Sequence, residues 1–458
     1  MSTAPAHKLA HTALPLSALP GVTWPAMPTV EGARALALQY QFVQSERWPL
    51  EQLRAMQFAQ IRQLLRHARG TVPFYRDRLA GLDLEGVLDE SVFARIPLLA
   101  RSDIQDHYDA LTSRAVPAGH GRIYEGQSSG STGRPIRFLH TELNGIFWRA
   151  FTLREHLWHR RDFSARLGSI RSRVSQTVMP GWGPATDGLF STGSATMFNT
   201  LRPVHEQAEW LMHENPDYLI CVASNLLELA RYCARHGLRP SRLRGARSYG
   251  EALHPDTRAM VRQAWDVPLT DIYSCSEIGY LALQCPQHEH YHVQAEGVHI
   301  EILDEQGQPC VPGELGRVVV TPMLHFAMPL IRYDIGDYAE AGEPCDCGRG
   351  LPVIKAIRGR TRNMLRLPGG SIRHPRFGEY QFGDITAVRQ FQVVQKSLSD
   401  IEVALVVVRP LTAAETDNLR AMIVKHLGHP FLVSFVYRDE IPRLPNGKYE
   451  DFRSEVTS

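Results

Sequence analysis

Short apolar runs alternate with stretches of helical periodicity through the first three quarters of the chain. Residues 218–222 and 269–273 are apolar runs of strand length, and residues 225–236 between them carry apolar positions at helical spacing. Alternation of this kind, continuing to about residue 340, is typical of a layered α/β domain with substantial parallel strand pairing. We therefore expect a large α/β domain in this part of the chain.

The pattern restarts on a smaller scale after about residue 360. Residues 391–395, 401–408 and 431–437 predict strands, and residues 412–427 predict a helix that ends at Gly428. These elements predict a small, mobile α+β domain of roughly a hundred residues, joined to the large domain by a hinge near Arg362. Residues 1–30, rich in Pro, Ala and His without periodicity, predict a loosely ordered arm. The expected domains are the arm at 1–30, the large domain at 31–361 and the small domain at 362–458.

Composition narrows the class of protein. The 458 residues exceed one typical domain, and an apolar share of 43% is ample for a core. A net charge of +2 argues against a nucleic-acid partner. No apolar run approaches the ~20 residues that cross a bilayer, and the N-terminus lacks the pattern of a secretory signal. We therefore expect a cytoplasmic protein without a membrane partner. Its seven cysteines should be thiols, or metal ligands where they cluster.

A Ser/Gly loop just before a strand-like run is the first candidate for chemistry. It consists of Ser128, Ser129, Gly130, Ser131, Thr132 and Gly133, and Arg134 follows it. Its glycines allow a tight turn whose N–H groups can bind an anion, and its hydroxyls add donors that suit phosphate. It is not a Walker loop, because the Gly-Lys-Ser/Thr ending is absent. On these residues alone an ordinary Ser/Gly turn remains an equal alternative.

Five further motifs follow the Ser/Gly loop in order. They are Gly250-Glu251-Ala252-Leu253, Tyr273-Ser274-Cys275-Ser276-Glu277, Arg332-Tyr333-Asp334-Ile335-Gly336-Asp337, Gly359-Arg360-Thr361-Arg362-Asn363 and Asn446-Gly447-Lys448. With this order and spacing the chain resembles the adenylate-forming superfamily of acyl-CoA synthetases, peptide-synthetase adenylation domains and luciferases. The segment at residues 64–76 is similar to the N-terminal segment of the phenylacetate–CoA ligase branch. The resemblance covers roughly residues 40 to 455.

The resemblance implies an enzyme that uses ATP and Mg²⁺ to activate a small carboxylic acid, aryl or arylacetic, and then transfers the acyl group to a thiol, CoA first among the acceptors. It implies that the Ser/Gly loop holds the β- and γ-phosphates. It also implies that Gly250, Glu251 and Ala252 contact adenine, that Tyr273 stacks on the base, and that Asp337 binds the ribose. Ser276 would contact the phosphate or the acyl group, Glu277 would bind Mg²⁺, and Arg360 would contact ribose or phosphate. Lys448 would stabilise the attacking carboxylate and the α-phosphate.

Two positions depart from the family pattern. Arg134 stands where the loop usually has Lys, which keeps the charge but changes its geometry. Arg362-Asn363 stands where an acidic pair is common at the hinge. The first departure bears on phosphate binding, and the second bears on hinge motion and thioester formation.

A second cluster combines thiols and imidazoles. Cys285 is followed by His288, His290 and His292, and Cys345 and Cys347 come later in the chain. Thiolate and imidazole suit tetrahedral Zn²⁺, although two thiols one residue apart are closer than the usual spacing. Members of the phenylacetate–CoA ligase branch carry a similar set, which implies Cys285, His292, Cys345 and Cys347 as ligands, with His288 and His290 as alternatives to His292.

Two other functions stay open. One is an adenylating enzyme that passes the acyl group to a carrier protein or an amine, and the other is a non-catalytic nucleotide-binding protein. Retention of Glu277, Asp337 and Lys448 favours an enzyme. The identity of the acid, the acceptor, the pathway and the oligomeric state, a homodimer included, is not fixed by the sequence.

Overall fold

The structure is a computed structural model, and it describes residues 14–128, 134–172, 174–373, 375, 387–444 and 449–456. Six helices precede the first strand among the described residues: α1 (Val30–Ser45), α2 (Leu50–Thr71), α3 (Pro73–Arg78), α4 (Glu90–Phe93), α5 (Arg101–Asp106) and α6 (Tyr108–Leu111). Between residues 14 and 29 no helix or strand is present among the described residues, and Leu16 N donates to Leu189 O. Whether the arm is loosely ordered stays a prediction.

The large domain continues with strands and four helices. In chain order these are β1 (Ile123–Gln127), β2 (Arg137–Thr141), α7 (Glu142–Trp158), β3 (Leu167–Arg171), β4 (Thr177–Met179), β5 (Ala195–Asn199), α8 (Val204–Glu214), β6 (Tyr218–Val222), α9 (Ala223–His236), β7 (Gly245–Tyr249), α10 (Thr257–Trp265), β8 (Leu269–Cys275), β9 (Gly279–Gln284), β10 (Tyr291–Val293), β11 (Val298–Leu303), β12 (Leu315–Pro322), β13 (Tyr333–Ala341) and β14 (Val353–Arg360). The strand predicted at 218–222 has those bounds, and the helix predicted at 225–236 begins two residues earlier.

One mixed sheet dominates the large domain. Within the described residues its order is β11-β12-β13-β14-β10-β9-β8-β7-β6-β3-β5-β4, and only the run β8-β7-β6-β3-β5 is parallel. The parallel pairing predicted from the sequence is confirmed for this run, while the remaining pairs are antiparallel. The parallel strands end at one edge, where β6, β7 and β8 lead into Ala223, Gly250 and Ser276. Ligands of open α/β sheets bind outside this carboxyl edge.

The small domain has its own sheet and core. Its elements are β15 (Leu365–Arg366), β16 (Ile372–Arg373), β17 (Val388–Gln395), β18 (Asp400–Val407), α11 (Ala413–Leu427), β19 (Leu432–Tyr437) and β20 (Phe452–Ser454). The described strands β19-β18-β17-β20 form one sheet, against which the buried face of α11 packs. The side chain of Thr412 caps α11 by accepting from Glu415 N, and Gly428 ends it with φ +66°. The predicted α+β unit is confirmed.

The two domains meet across the carboxyl edge of the large sheet. The chain leaves β14 through a helical turn at Thr361–Asn363, where the sequence places the hinge. Asn363 Nδ2 donates to Phe452 O at 2.6 Å, and Arg443 Nη1 donates to Ser224 Oγ at 3.2 Å. That the turn acts as a hinge, and the exact domain limits, stay predictions. No described helix is both long and apolar enough to cross a membrane.

Candidate active site

A cavity of about 1280 Å³ lies at the carboxyl edge of the parallel strands, between the two domains. The large domain contributes the ends of β6, β7, β8 and β14 and the middle of β13 to its wall, and the small domain contributes β17 and the segment around residue 450. Its lining includes Arg101, Ser128, Ser172, Ser224, Gly250, Glu251, Ala252, Tyr273, Ser276, Glu277, Asp337, Arg360, Arg443, Tyr449 and Asp451. The cavity therefore collects most of the described residues that the sequence motifs identified.

The Ser/Gly loop connects the antiparallel strands β1 and β2. Of its six residues only Ser128 is described, and residues 129–133 lie outside the described part of the chain. Ser128 N donates to Ile136 O at 2.9 Å, and Ile136 N donates to Ser128 Oγ at 3.0 Å. These two bonds fix the ends of the loop at the wall of the cavity.

Arg101 is a cavity residue that the sequence motifs missed. It begins α5, and its Nη2 donates to Ser128 Oγ at 3.1 Å while its Nη1 lies 3.7 Å from Glu277 Oε1. The buried Nε of Arg101 has no hydrogen-bond partner among the described residues. A cation at a helix start opposes the helix dipole, and such a local conflict is often found at functional sites. That weak signal was available in the sequence, but the proximity of Arg101 to Glu277, 176 residues further along the chain, was not.

Glu277 lies in the turn between β8 and β9, with only 6% of its surface exposed. His140 on β2 donates through Nε2 to Glu277 O at 2.9 Å, which ties the strand after the Ser/Gly loop to this turn. Burial lowers the pKa of His140, so the neutral imidazole is the form that donates. Ser128 and Glu277 therefore both lie on the wall of one cavity.

Tyr273, Asp337 and Arg360 form a second polar group in the cavity. The hydroxyl of Tyr273 donates to Asp337 Oδ2 at 2.9 Å, and Arg360 Nε lies 3.5 Å from Asp337 Oδ1. Burial and the neighbouring Asp337 carboxylate raise the pKa of Tyr273 well above its usual range, so the phenol stays protonated and donates. Asp337 and Arg360 face each other because they are paired in the β13–β14 register. The structure thus brings together the residues to which the resemblance assigns base and ribose contacts.

Gly250, Glu251 and Ala252 follow β7 and line the same cavity. Gly250 has φ +79°, a backbone conformation that favours glycine. The Glu251 carboxylate accepts from Ser224 N at 2.7 Å and from Ser224 Oγ at 3.1 Å. These bonds join the end of β7 to the start of α9.

Lys448 lies outside the described residues. The described residues on either side of it, Arg443 and Tyr449, line the cavity, and Tyr449 OH donates to Phe391 O. Ser276 also lines the cavity, beside Glu277. Of the remaining motif residues, the structure therefore brings Ser276 into the site and leaves the position of Lys448 a prediction.

The thiols and imidazole of the second cluster converge at one point. The ligand atoms of Cys285, His292, Cys345 and Cys347 all lie within 4.8 Å of one another. The Sγ atoms of Cys285 and Cys345 are 3.9 Å apart, and Cys347 Sγ lies 3.4 Å from His292 Nε2. In a zinc tetrahedron with Zn–S near 2.3 Å, two sulfur atoms are about 3.8 Å apart. These spacings fit a zinc ion.

The geometry also shows which of the three histidines near Cys285 lies with the thiols. His288 Nε2 lies 2.6 Å from Asp346 Oδ1, whereas His292 Nε2 lies beside Cys347 Sγ. Burial lowers the pKa of His292 to about 3, which leaves its ring unprotonated and able to bind metal. None of the seven cysteines, all of them described, forms a disulfide. His292 is therefore the imidazole that completes the four-residue set.

The comparisons with known proteins agree with this geometry. Residues 370–454 match the CapK C-terminal domain family. The chain is 29% identical to a phenylacetate-coenzyme A ligase of Thermus thermophilus, over 71% of this chain and 74% of the relative. It is 23% identical to that of Escherichia coli, over 83% and 88% respectively. These similarities confirm the predicted resemblance to the phenylacetate–CoA ligase-like branch.

The fold is also found among solved structures. A 2-hydroxyisobutyryl-CoA ligase in the postadenylation state has a TM-score of 0.70 to this chain. The match covers 90% of this chain and 91% of that one at 18% identity. The chain thus shares its fold, a large α/β domain with a smaller C-terminal domain, with that ligase, as the sequence predicts.

Proposed function

From its similarity to phenylacetate–CoA ligases, we propose that this chain is an ATP-dependent, AMP-forming ligase that joins a carboxylic acid to CoA. The observation that carries the proposal is the single cavity in which Ser128, Glu277 and Asp337 meet, with Arg101 between the first two. A carboxylate for ribose, a carboxylate for a hard cation and a guanidinium for phosphate are the groups that ATP requires.

The first half-reaction forms an acyl-adenylate. An oxygen of the acid attacks the α-phosphorus in line, the bond from that phosphorus to the bridging oxygen breaks, and pyrophosphate leaves. Asp337, oriented by Tyr273 and Arg360, accepts hydrogen bonds from the ribose hydroxyls. Arg101 places positive charge beside the polyphosphate, which stabilises the charge that moves onto pyrophosphate. Lys448 would supply positive charge at the attacking carboxylate and α-phosphate.

Glu277 fits the role of a Mg²⁺ ligand. It is a buried carboxylate on the cavity wall, and Mg²⁺ prefers one or two carboxylates together with substrate phosphates. The ion would neutralise phosphate charge when ATP binds. His140 holds the backbone of the Glu277 turn, so the carboxylate is positioned before ATP arrives.

The second half-reaction transfers the acyl group from AMP to a thiol. The thiol sulfur attacks the acyl carbon, a thioester bond forms, and AMP leaves with the electrons of the acyl–oxygen bond. Rotation of the small domain about the Thr361–Asn363 turn would withdraw Lys448 and admit CoA. Transfer to a carrier protein or an amine is the alternative for this step.

We propose that Cys285, His292, Cys345 and Cys347 bind one structural Zn²⁺. Four protein ligands leave no open position, so the ion would brace the fold rather than activate water. Residues next to these four ligands are hydrogen-bonded to β8, which lines the cavity. Gln284 Oε1 accepts from Asp271 N at 2.8 Å, and Tyr291 OH donates to Asp271 Oδ2 at 2.6 Å. Reduced thiols also suit the cytoplasmic location that the sequence predicts.

The proposal is tested by assaying purified protein with ATP, Mg²⁺ and a panel of carboxylic acids, with and without CoA. Acid-dependent release of pyrophosphate, followed by AMP and a CoA thioester when CoA is added, is the expected result. Pyrophosphate release without any thioester would assign the enzyme to a carrier protein or an amine acceptor. No acid-dependent pyrophosphate with the whole panel would reject the proposed function.

A further inference from the structure

Arg171 gives information about the acid, which the proposed function leaves undefined. It is the last residue of β3, inside the parallel run of the sheet, and the next residue, Ser172, lines the cavity. Its Nε donates to Ser169 Oγ at 2.6 Å, which holds the inner edge of the guanidinium against the strand. The terminal nitrogens, which form the fork that binds a carboxylate, lie on the other side of that group.

Arg171 differs from Arg161 and Arg247 of the same domain in having no acidic partner among the described residues. Arg161 and Arg247 both form ion pairs with the buried Glu155. Among the residues that the structure describes, no aspartate or glutamate pairs with Arg171. Its guanidinium is therefore an exposed positive charge close to the cavity, held at Nε by Ser169 and without an acidic partner among the described residues.

Aromatic rings connect this charge to the turn that carries Glu277. The guanidinium carbon of Arg171 lies 5.5 Å from the ring centroid of Tyr249, the residue before Gly250. Burial raises the pKa of Tyr280, and the nearby positive charges of Arg247 and Arg171 oppose that rise. Tyr280 in turn lies 6.2 Å from Trp148, a tryptophan with 44% of its surface exposed.

Trp148 borders the Glu277 turn. Its Cδ1 lies 3.7 Å from the position that a Cβ would occupy at Gly279, two residues after Glu277. Trp148, Tyr280 and the guanidinium of Arg171, which has no acidic partner among the described residues, thus lie between the Glu277 turn and the end of β3. Such a surface suits a planar acid whose far end carries negative charge.

We propose that Arg171 binds a second carboxylate at the far end of the acid, so that the preferred substrate is an aromatic acid bearing two carboxylates. This proposal rests on the proposed function. The carboxylate being activated would face Ser276, the ring would lie along Trp148 and Tyr280, and the second carboxylate would receive hydrogen bonds from the Arg171 fork. An unsubstituted arylacetate would leave the guanidinium without a partner, and sites built for a charged group discriminate against ligands that lack it.

The test compares adenylation of phenylacetate with that of 3- and 4-carboxyphenylacetate, followed as pyrophosphate release in the absence of CoA. Wild type should show kcat/KM at least about tenfold higher for one of the dicarboxylates, the size expected of a charge-assisted hydrogen bond. Arg171→Met should remove this preference by lowering activity on the dicarboxylate alone, and Arg171→Lys should retain part of it. Arg239→Met removes a distant exposed charge that pairs with Asp266, and should leave the preference unchanged.

Three outcomes would overturn the inference in different ways. A wild-type preference for phenylacetate, or a preference that Arg171→Met does not alter, would reject the role of Arg171 while leaving the ligase proposal intact. If Arg171→Met instead raised only the KM for CoA in the complete reaction, the guanidinium would bind a CoA phosphate. Absence of pyrophosphate with every acid would reject the proposed function, and the inference with it.

Discussion

The contact between Arg443 and the large domain should favour adenylation over thioester formation. Arg443 precedes Lys448 by five residues. Its guanidinium donates to Ser224 Oγ at 3.2 Å and pairs with Glu228, across the boundary between the domains. Ser224 also donates to Glu251 on the cavity wall, so Arg443 connects the segment before Lys448 to the nucleotide side of the site. We predict that Arg443→Ala slows adenylation more than it slows thioester formation from a supplied acyl-adenylate.

The magnitude follows from the exposure of the two charges. The Arg443 side chain is 20% exposed and that of Glu228 is 46% exposed, so solvent screening limits the ion pair to about 0.5–1 kcal/mol. The hydrogen bond to Ser224 adds about 0.5–1 kcal/mol. Together they would stabilise this domain arrangement by about 1–2 kcal/mol, which corresponds to a factor of about 5–30 in its population. Adenylation by Arg443→Ala should fall by a factor in that range.

A double-mutant cycle with Glu228→Ala isolates the ion pair. Pre-steady-state pyrophosphate release measures the first half-reaction, and CoA thioester formation from synthetic acyl-adenylate measures the second. We expect a coupling of about 0.5 kcal/mol or more in the first and none in the second. Arg420→Ala, which removes an exposed arginine paired with Asp417 within the small domain, is the matched control. Additive effects, or equal losses in both half-reactions, would refute this reasoning.

Three further predictions concern the lysine, the metal and a buried acid. Lys448→Ala should reduce adenylation by orders of magnitude with nearly normal ATP binding, because the charge acts in the transition state; a rate within a few-fold of wild type would contradict its role. Cys347→Ser should lose the one zinc per chain that metal analysis detects, together with thermal stability; a fully stable, metal-free wild type would disprove the site. Burial raises the pKa of Asp271 to about 6, so wild type should lose about 3 kcal/mol of stability relative to Asp271→Asn as pH rises from 3.8 to above 6, measured by urea unfolding. If the difference in unfolding free energy between wild type and Asp271→Asn did not change with pH, the pKa of Asp271 would not be raised by burial.

Local pattern was sufficient to predict the elements whose cores are formed by neighbouring residues. Thr412, Glu415 and Gly428 determine both ends of α11 within its own sequence, so its bounds were predictable. The convergence of Cys285, His292, Cys345 and Cys347 was predictable because these residue types are rare and the resemblance supplied their grouping. The antiparallel half of the large sheet was not, because strand pairing depends on contacts between distant segments rather than on periodicity.

Two of the cavity residues that the sequence reasoning missed are arginines. Arg101 and Arg443 have the same sequence appearance as solvent-exposed arginines elsewhere in the chain. What distinguishes them is the neighbour that the fold supplies: Glu277 beside Arg101, and Ser224 and Glu228 beside Arg443. Such roles become visible only when segments far apart in the chain are brought together.

The most direct test of the central claim is the product balance of a single reaction. Purified protein, ATP, Mg²⁺, CoA and an accepted acid are combined, and AMP, pyrophosphate and CoA thioester are quantified together. Our account predicts equal amounts of the three products, with none formed when the acid is omitted. ADP and phosphate in place of AMP and pyrophosphate, or AMP without thioester in the presence of CoA, would contradict an AMP-forming acid–CoA ligase.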